Sequence, residues 1–216
     1  MADVFFLEGD KYHCADEAFA GVGPVLESAG LNVEYATNIE RLNWDNLKDK
    51  RLLVIFRDGM EWPRGEGESY EVWMQPHQEE AIEKFVRQGG SFMPLHNSGW
   101  AYPWRGLYRK VFGGYYQGHP PVAPFDVRVV DSDHPITEGV HDFEIVDEQH
   151  FLWFDYERVS LLLKSIGRDG RESAAGWAYK YKQGSVVYLA NGHTLEILQH
   201  KMVHLLLSNA VQWLLR

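Results

Sequence analysis

Apolar residues fall along this chain in two rhythms. Short unbroken runs occur at Val4–Leu7, Leu52–Phe56 and Ser91–Leu95, each followed by polar or glycine-rich residues. Runs of that length predict strands buried on both faces, as in a parallel sheet. Asn32–Tyr35 reads as one more short strand. Helical spacing lies between them. Over Gln75–Gln88, Ala81, Ile82, Phe85 and Val86 make one apolar face, and Gly89-Gly90 stops the helix. Asp16–Ala29 predicts another helix, bent or restarted at Pro24 because proline suits a first turn and not an interior. A last helix, about His200 to Leu215, repeats Val203, Leu206, Leu207, Ala210, Val211 and Leu214 at spacings of three and four.

The second half is richer in strands. Phe125–Val130, Phe143–Val146, Ser160–Ile166, Ala174–Tyr179 and Ser185–Leu189 all read as β, and the last two form a hairpin across Lys180–Gly184. Two β-α-β passages followed by hairpins predict a flavodoxin-like α/β sandwich. Its central sheet is mostly parallel, with an antiparallel extension at one edge. The length, 216 residues, suits a single domain spanning 1–216. The most linker-like stretch is Arg57–Trp73, with Gly59, Pro63, Gly65 and Gly67 among charges; it reads as a lid, a dimer arm or a flexible loop.

Composition narrows the function. Lys and Arg number 21 against 31 Asp and Glu, a net charge of −10. That balance disfavours nucleic acid and anionic membranes as partners. No apolar stretch approaches the ~18 residues a membrane span needs. The opening residues read as a strand and not as a signal peptide. Cys14 is the only cysteine, so an internal disulfide is excluded and a reducing, cytoplasmic setting is expected. Aromatic residues reach 14% and cluster in Gly/Pro-rich stretches, a pattern that suits a pocket with aromatic walls.

Open parallel sheets bind ligands beyond the carboxyl ends of their strands, so the residues there are the candidates. Asp10, Tyr12, His13 and Cys14 follow the first strand; Arg57 and Asp58 follow the third. His96, Asn97, Ser98 and Trp100 follow the fourth, and His193, Thr194 and Glu196 follow Ser185–Leu189. His119 precedes a proline and could point into the same cleft, and Asp147-Glu148-Gln149-His150 adds acids and an imidazole after another strand. His134 reads as a turn residue and Thr194 also as a helix cap; His200 and His204, four apart on the last helix, have a spacing that can bind metal, a reading disfavoured by their place at the far end of the chain from the other signals. No Gly-x-Ser-x-Gly and no phosphate-binding glycine loop is present, and nothing marks Cys14 as a reactive thiolate.

Five motifs in order carry a resemblance. Gly89-Gly90 through Leu95-His96-Asn97-Ser98 comes first, then Phe112-Gly113-Gly114-Tyr115 with His119-Pro120. Asp133-His134-Pro135-Ile136-Thr137-Glu138-Gly139, Asp147-Glu148 and Gly192-His193-Thr194 follow. Together they resemble the ThuA-like (trehalose utilisation) family, a branch of the class I glutamine amidotransferase-like fold. Where the amidotransferases carry a catalytic cysteine this chain has His96, so the resemblance implies no glutaminase; His193 resembles their late-strand histidine. The family link implies disaccharide or glycoside use, through sugars oxidised to keto forms by partner dehydrogenases. This chain departs from the family at Cys14, where an acid or proline is usual, and at His150, two beyond the Asp-Glu pair.

The expected catalytic set is therefore His96, His193 and Glu148. His13, Asp58, Asn97, Ser98, Trp100, His119, Thr194 and Glu196 are expected to bind substrate. Two imidazoles near neutral pKa can relay protons. With carboxylates behind them they can instead hold a divalent metal, His96 and His193 being its ligands. A base such as His96 or Glu148 would then act on the C–H beside a sugar ketone. Trp62, Trp100, Tyr102, Trp104, Tyr115 and Tyr116 are candidates to stack on sugar faces. The rivals are a non-catalytic carbohydrate-binding or regulatory protein, a metal-dependent hydrolase, and a structural homodimer or higher homo-oligomer.

Overall fold

The computed structural model describes residues 2–65 and 69–216. The elements run β1 (Val4–Glu8), α1 (Ala15–Ser28), β2 (Val33–Ala36), α2 (Trp44–Leu47), β3 (Leu52–Phe56), β4 (Met60–Glu61), β5 (Glu71–Val72), α3 (Pro76–Arg87) and β6 (Ser91–Pro94). There follow α4 (Leu107–Phe112), β7 (Gly114–Gly118), β8 (Ala123–Val129), β9 (Phe143–Asp147), β10 (Phe151–Phe154), β11 (Ser160–Gly167), β12 (Glu172–Tyr181), β13 (Gly184–Leu189), α5 (Leu195–Leu198) and α6 (Lys201–Leu214).

Among the described residues, nine strands join in one sheet of order β2-β1-β3-β6-β13-β12-β11-β8-β9. β2, β1, β3, β6 and β13 pair in parallel. From β13 outward through β12, β11 and β8 to β9, every pairing is antiparallel. A parallel core with an antiparallel extension is the architecture that the two apolar rhythms predict; the extension equals the core in strand pairings. The route from β1 through α1 leads to β2, and the route from β3 through α3 leads the other way, to β6. Right-handed crossovers then place α1 and α3 on opposite faces. The reversal opens a crevice between the carboxyl ends of β1 and β3. α5 and α6 pack with α1, and α2 and α4 with α3.

β1, β3 and β13 are buried along their whole length, the reason they read as unbroken apolar runs. β8 and β9 have exposed positions and alternate. Trp177 fills the centre of the sheet, its ring 4.4 Å from Tyr188 and 5.2 Å from Phe112.

Three expectations change in detail. α1 is continuous through Pro24. Pro24 and Ala20 are both exposed, so the carbonyl that loses its partner meets water. The hairpin turn tightens to Lys182-Gln183, with Tyr181 opposite Gly184 and Lys182 at φ +56°. Arg57–Trp73 carries the antiparallel pair β4 and β5, with Met60 opposite Val72, while Gly67 lies outside the described residues. The base of this segment is anchored: Gly59 N donates to Trp100 O (2.8 Å) and Trp73 Nε1 donates to Asp58 O (2.6 Å). A Cβ at Gly59 would lie 2.8 Å from the Ala101 carbonyl oxygen, so glycine permits this close approach.

Candidate functional site

Four strand ends build the site. His13 follows β1, His96 follows β6, Glu148 follows β9 and His193 follows β13. His96 sits at a sharp strand-to-helix turn at φ +47°, a conformation that costs a non-glycine residue energy and is typical of functional turns. Tyr188 OH donates to the His96 carbonyl (2.6 Å) and fixes that turn. Gly192, at φ +150°, donates its N–H to Asp147 Oδ2 (2.9 Å), and His193 N donates to Asp147 Oδ1 (3.3 Å). These two bonds hold the end of the outermost strand against the turn after β13, which brings Glu148 to the histidines.

The four side chains each direct one donor atom to a common point, all within 4.8 Å of one another. His13 Nε2 lies 3.1 Å from His193 Nδ1. Glu148 Oε2 lies 3.4 Å from His96 Nε2 and 3.5 Å from His193 Nδ1. Ligands at zinc-like bond lengths and tetrahedral angles stand about 3.3 Å apart. Three of the six donor–donor distances therefore match the spacing of a metal's ligand shell.

The outer contacts point the same way. His96 Nδ1 donates to the Ala190 carbonyl (2.8 Å), so in the neutral ring Nε2 carries the lone pair. That Nε2 is buried and makes no hydrogen bond. At His13 two groups compete for Nδ1: Asp10 Oδ1 at 2.9 Å and Asn97 Nδ2 at 2.8 Å. The ionised carboxylate is the stronger partner, so Nδ1–H donates to Asp10 and leaves the Nε2 lone pair facing the cluster. A carboxylate or carbonyl behind each ligand histidine is the usual second layer of a metal site. Asp10 is itself held by Asn97 Nδ2 (2.5 Å) and the backbone N–H of Tyr12, His13 and Asp58.

Burial opposes the charge on His96, but Glu148 and Asp147 outweigh it and raise this imidazole above the ordinary histidine value, so without a cation it favours its proton. Burial alone would raise Asp10, but hydrogen bonding to His13 and its charge outweigh burial and hold it at about 2. Burial pushes His13 below the ordinary histidine value. His150 stacks on His96 at 4.3 Å, and burial followed by the His96 charge lowers it to about 3. Glu148 lies far below the carboxylate range: burial opposes ionisation, and the surrounding imidazoles, led by His150 and His96, overcome it.

The cluster opens into a cavity of about 660 Å³, large enough for a sugar of one or two rings. Asp58, Asn97, Trp100 and His119 line it, as do His13, Glu148 and His193. Tyr12, Met60, Tyr116 and His150 complete much of the wall. Trp100 and Tyr116 meet edge to face at 5.0 Å. Among the described residues no Lys or Arg lines the cavity. His96 is fully buried behind the lining residues His13, His150 and His193.

Other candidates fall elsewhere. Ser98 is fully buried, and its carbonyl accepts from Tyr108 OH. Thr194 caps α5 through Ile197 N, and Glu196 is exposed in the first turn of that helix. Tyr102 is buried against Tyr108, and Trp104 meets Tyr115 and Trp153, away from the cavity lining. His134 serves its turn by accepting from Ile136 N (3.1 Å), and His200 caps α6. Cys14 is exposed. Sequence reasoning passed over Met60 and the role of Asp10. The signal for Asp10 is the Asp-x-x-His spacing in the turn after a strand.

The model of the family described as ThuA, trehalose utilisation, matches residues 4–214. The chain belongs to the ThuA family. Among curated proteins none matches. A ThuA-like protein from Parabacteroides merdae superposes with TM-score 0.79 at 13% identity, covering 99% of this chain and 90% of that one. A second ThuA-like protein, from Bacteroides uniformis, gives TM-score 0.72 at 17% identity, covering 98% and 89%. The β-galactosidase from Rahnella sp. R3 gives TM-score 0.66 at 14% identity; all of this ThuA chain matches 32% of that enzyme. At these identities the likeness is one of fold.

Proposed function

We propose that this ThuA-family chain is a metal-dependent enzyme acting on an uncharged sugar, a disaccharide or glycoside carrying a ketone. The observation that carries the reading is the convergence of His13 Nε2, His96 Nε2, His193 Nδ1 and Glu148 Oε2. Three imidazoles and one carboxylate suit zinc or a similar divalent ion. Such an ion would polarise a sugar oxygen and stabilise negative charge developing on it.

The lining supports the substrate class. No Lys or Arg stands among the described lining residues, so apart from the ion itself the cavity offers no side-chain cation to pair with a sugar phosphate or uronic acid. Trp100, Tyr116 and Tyr12 offer apolar faces for a pyranose ring, and Asn97 and His119 offer polar contacts. Glutamine hydrolysis has no nucleophile here, because His96 occupies the turn after β6.

The test is turnover of a mono-ketone of trehalose followed by chromatography, before and after treatment with a chelator. Activity that vanishes with chelation and returns with zinc or manganese supports the reading. Turnover indifferent to chelation contradicts its metal part. Sugar binding with no turnover in the metal-loaded protein contradicts the enzyme and favours a carbohydrate-binding protein with the same cleft.

A further inference from the structure

The metal reading removes the groups first expected to act as a base. A histidine or carboxylate whose lone pair is committed to a cation cannot take a proton. On that reading His13, His96, His193 and Glu148 would all be so committed, and His150 Nε2 leans on Glu148 Oε2 at 3.3 Å. A reaction at the C–H beside a ketone still needs a base within the cavity.

Asp58 lies elsewhere on the same cavity wall, on the turn after β3. Its backbone is tied on both sides: N donates to Asp10 Oδ2 (3.1 Å), and O accepts from Trp73 Nε1 (2.6 Å). Oδ1 accepts from Met60 N (2.8 Å). The carboxyl is thus held in one orientation, and no hydrogen bond from a described residue occupies Oδ2. Met60, next to it on the wall, is in turn held by Trp100 Nε1 through its sulfur (3.2 Å).

We propose, resting on the function above, that Asp58 is the acid–base residue that removes and returns a proton on the sugar ring. Asp58 takes the proton from the carbon beside the ketone. The C–H electron pair becomes the C=C bond of an enolate, and the carbonyl π pair moves onto oxygen. The protonated Asp58 then returns its proton to carbon, and the carboxylate is restored. No other reactant is consumed.

The charged and titratable groups around Asp58 suit that cycle. They are Asp10 after β1, Arg57 beside it, Glu61 on β4, the buried Tyr102, and Tyr116 on the cavity wall. Burial, then Asp10, raises the Asp58 carboxyl to about 7, against the pull of the Met60 N–H and Arg57. A base with a pKa near the working pH transfers protons in both directions most efficiently.

The experiment uses the zinc-loaded protein, a mono-ketone of trehalose and deuterium oxide, with NMR reading exchange at the carbon beside the ketone. Asp58→Asn keeps the Oδ1 acceptor for Met60, so it should bind one zinc and the sugar as wild type does. Its exchange rate should fall about 10²- to 10⁴-fold, and the acid limb of its pH profile should disappear. Asp58→Asn with exchange near the wild-type rate and the acid limb intact overturns the proposal and leaves the metal reading standing. Wild type that holds zinc yet exchanges nothing also overturns it. Wild type that retains no zinc overturns the reading on which it rests.

Discussion

The parallel core and the antiparallel extension contribute unequally to the site. The core supplies His13, His96, His193 and Asp58 from the ends of four strands, because parallel strands all deliver their carboxyl ends to one rim. The extension supplies one ligand, Glu148, and the Asp147 clamp that holds it there. The core strands are buried on both faces, whereas β9 alternates and leaves Val146 exposed. A rigid core thus presents all three nitrogens, and the extension adds the carboxylate that completes the cluster.

The comparison breaks most severely at a core ligand. His193→Ala leaves two imidazoles and should abolish retention of zinc through gel filtration, with turnover lost by at least 10³-fold on the scale expected for losing a catalytic metal; elemental analysis of the eluted protein checks it. Stability separates the two regions next. Leu53, fully buried on β3, should cost about 2–5 kcal/mol when changed to Ala. Val146→Ala, exposed on β9, should stay within about 0.5 kcal/mol. Urea melts of both variants read the contrast, and equal losses would erase the distinction between core and extension.

Smaller effects sharpen the outer layer. Asp10→Asn keeps the shape behind His13 but removes the charge, and zinc affinity measured by chelator competition should fall about 10- to 100-fold. Glu8 gives a pH test that is independent of metal. It ends β1 fully buried, with both carboxyl oxygens unpartnered, and burial raises it to about 8. The folded state therefore holds a proton that the unfolded chain releases near the ordinary value of 4.5. Its stabilising contribution is complete below that value and is lost as pH rises toward 8. Glu8→Gln should match wild type near pH 4 and be the more stable near pH 8, by a few kcal/mol at most. Melts across that range with parallel curves would refute it.

Much of this was legible in the residues because the parallel core is written in uninterrupted apolar runs with polar residues after each. Val4–Leu7, Leu52–Phe56 and Ser91–Leu95 gave both the strands and the places to look for His13, Asp58 and His96. The β7–β10 pair escaped notice because Gly114–Gly118 has two glycines in five residues and no alternating apolar face. Glu148 joined His96 and His193 in the expected set through the family resemblance and not through periodicity. Their convergence depends on the outermost strand meeting the turn after β13, a contact between residues far apart in sequence that periodicity does not encode. Ser98 and Thr194 show the converse: a polar residue beside a site motif can serve packing or a helix cap.

The most direct measurement is the X-ray absorption spectrum of the zinc-loaded protein at the metal edge. The account predicts one ion per chain bound by three imidazole nitrogens and one carboxylate oxygen at about 2.0–2.2 Å, with nitrogen scattering reduced in His96→Ala. A protein that retains no ion, or whose spectrum is unchanged by that substitution, would contradict it.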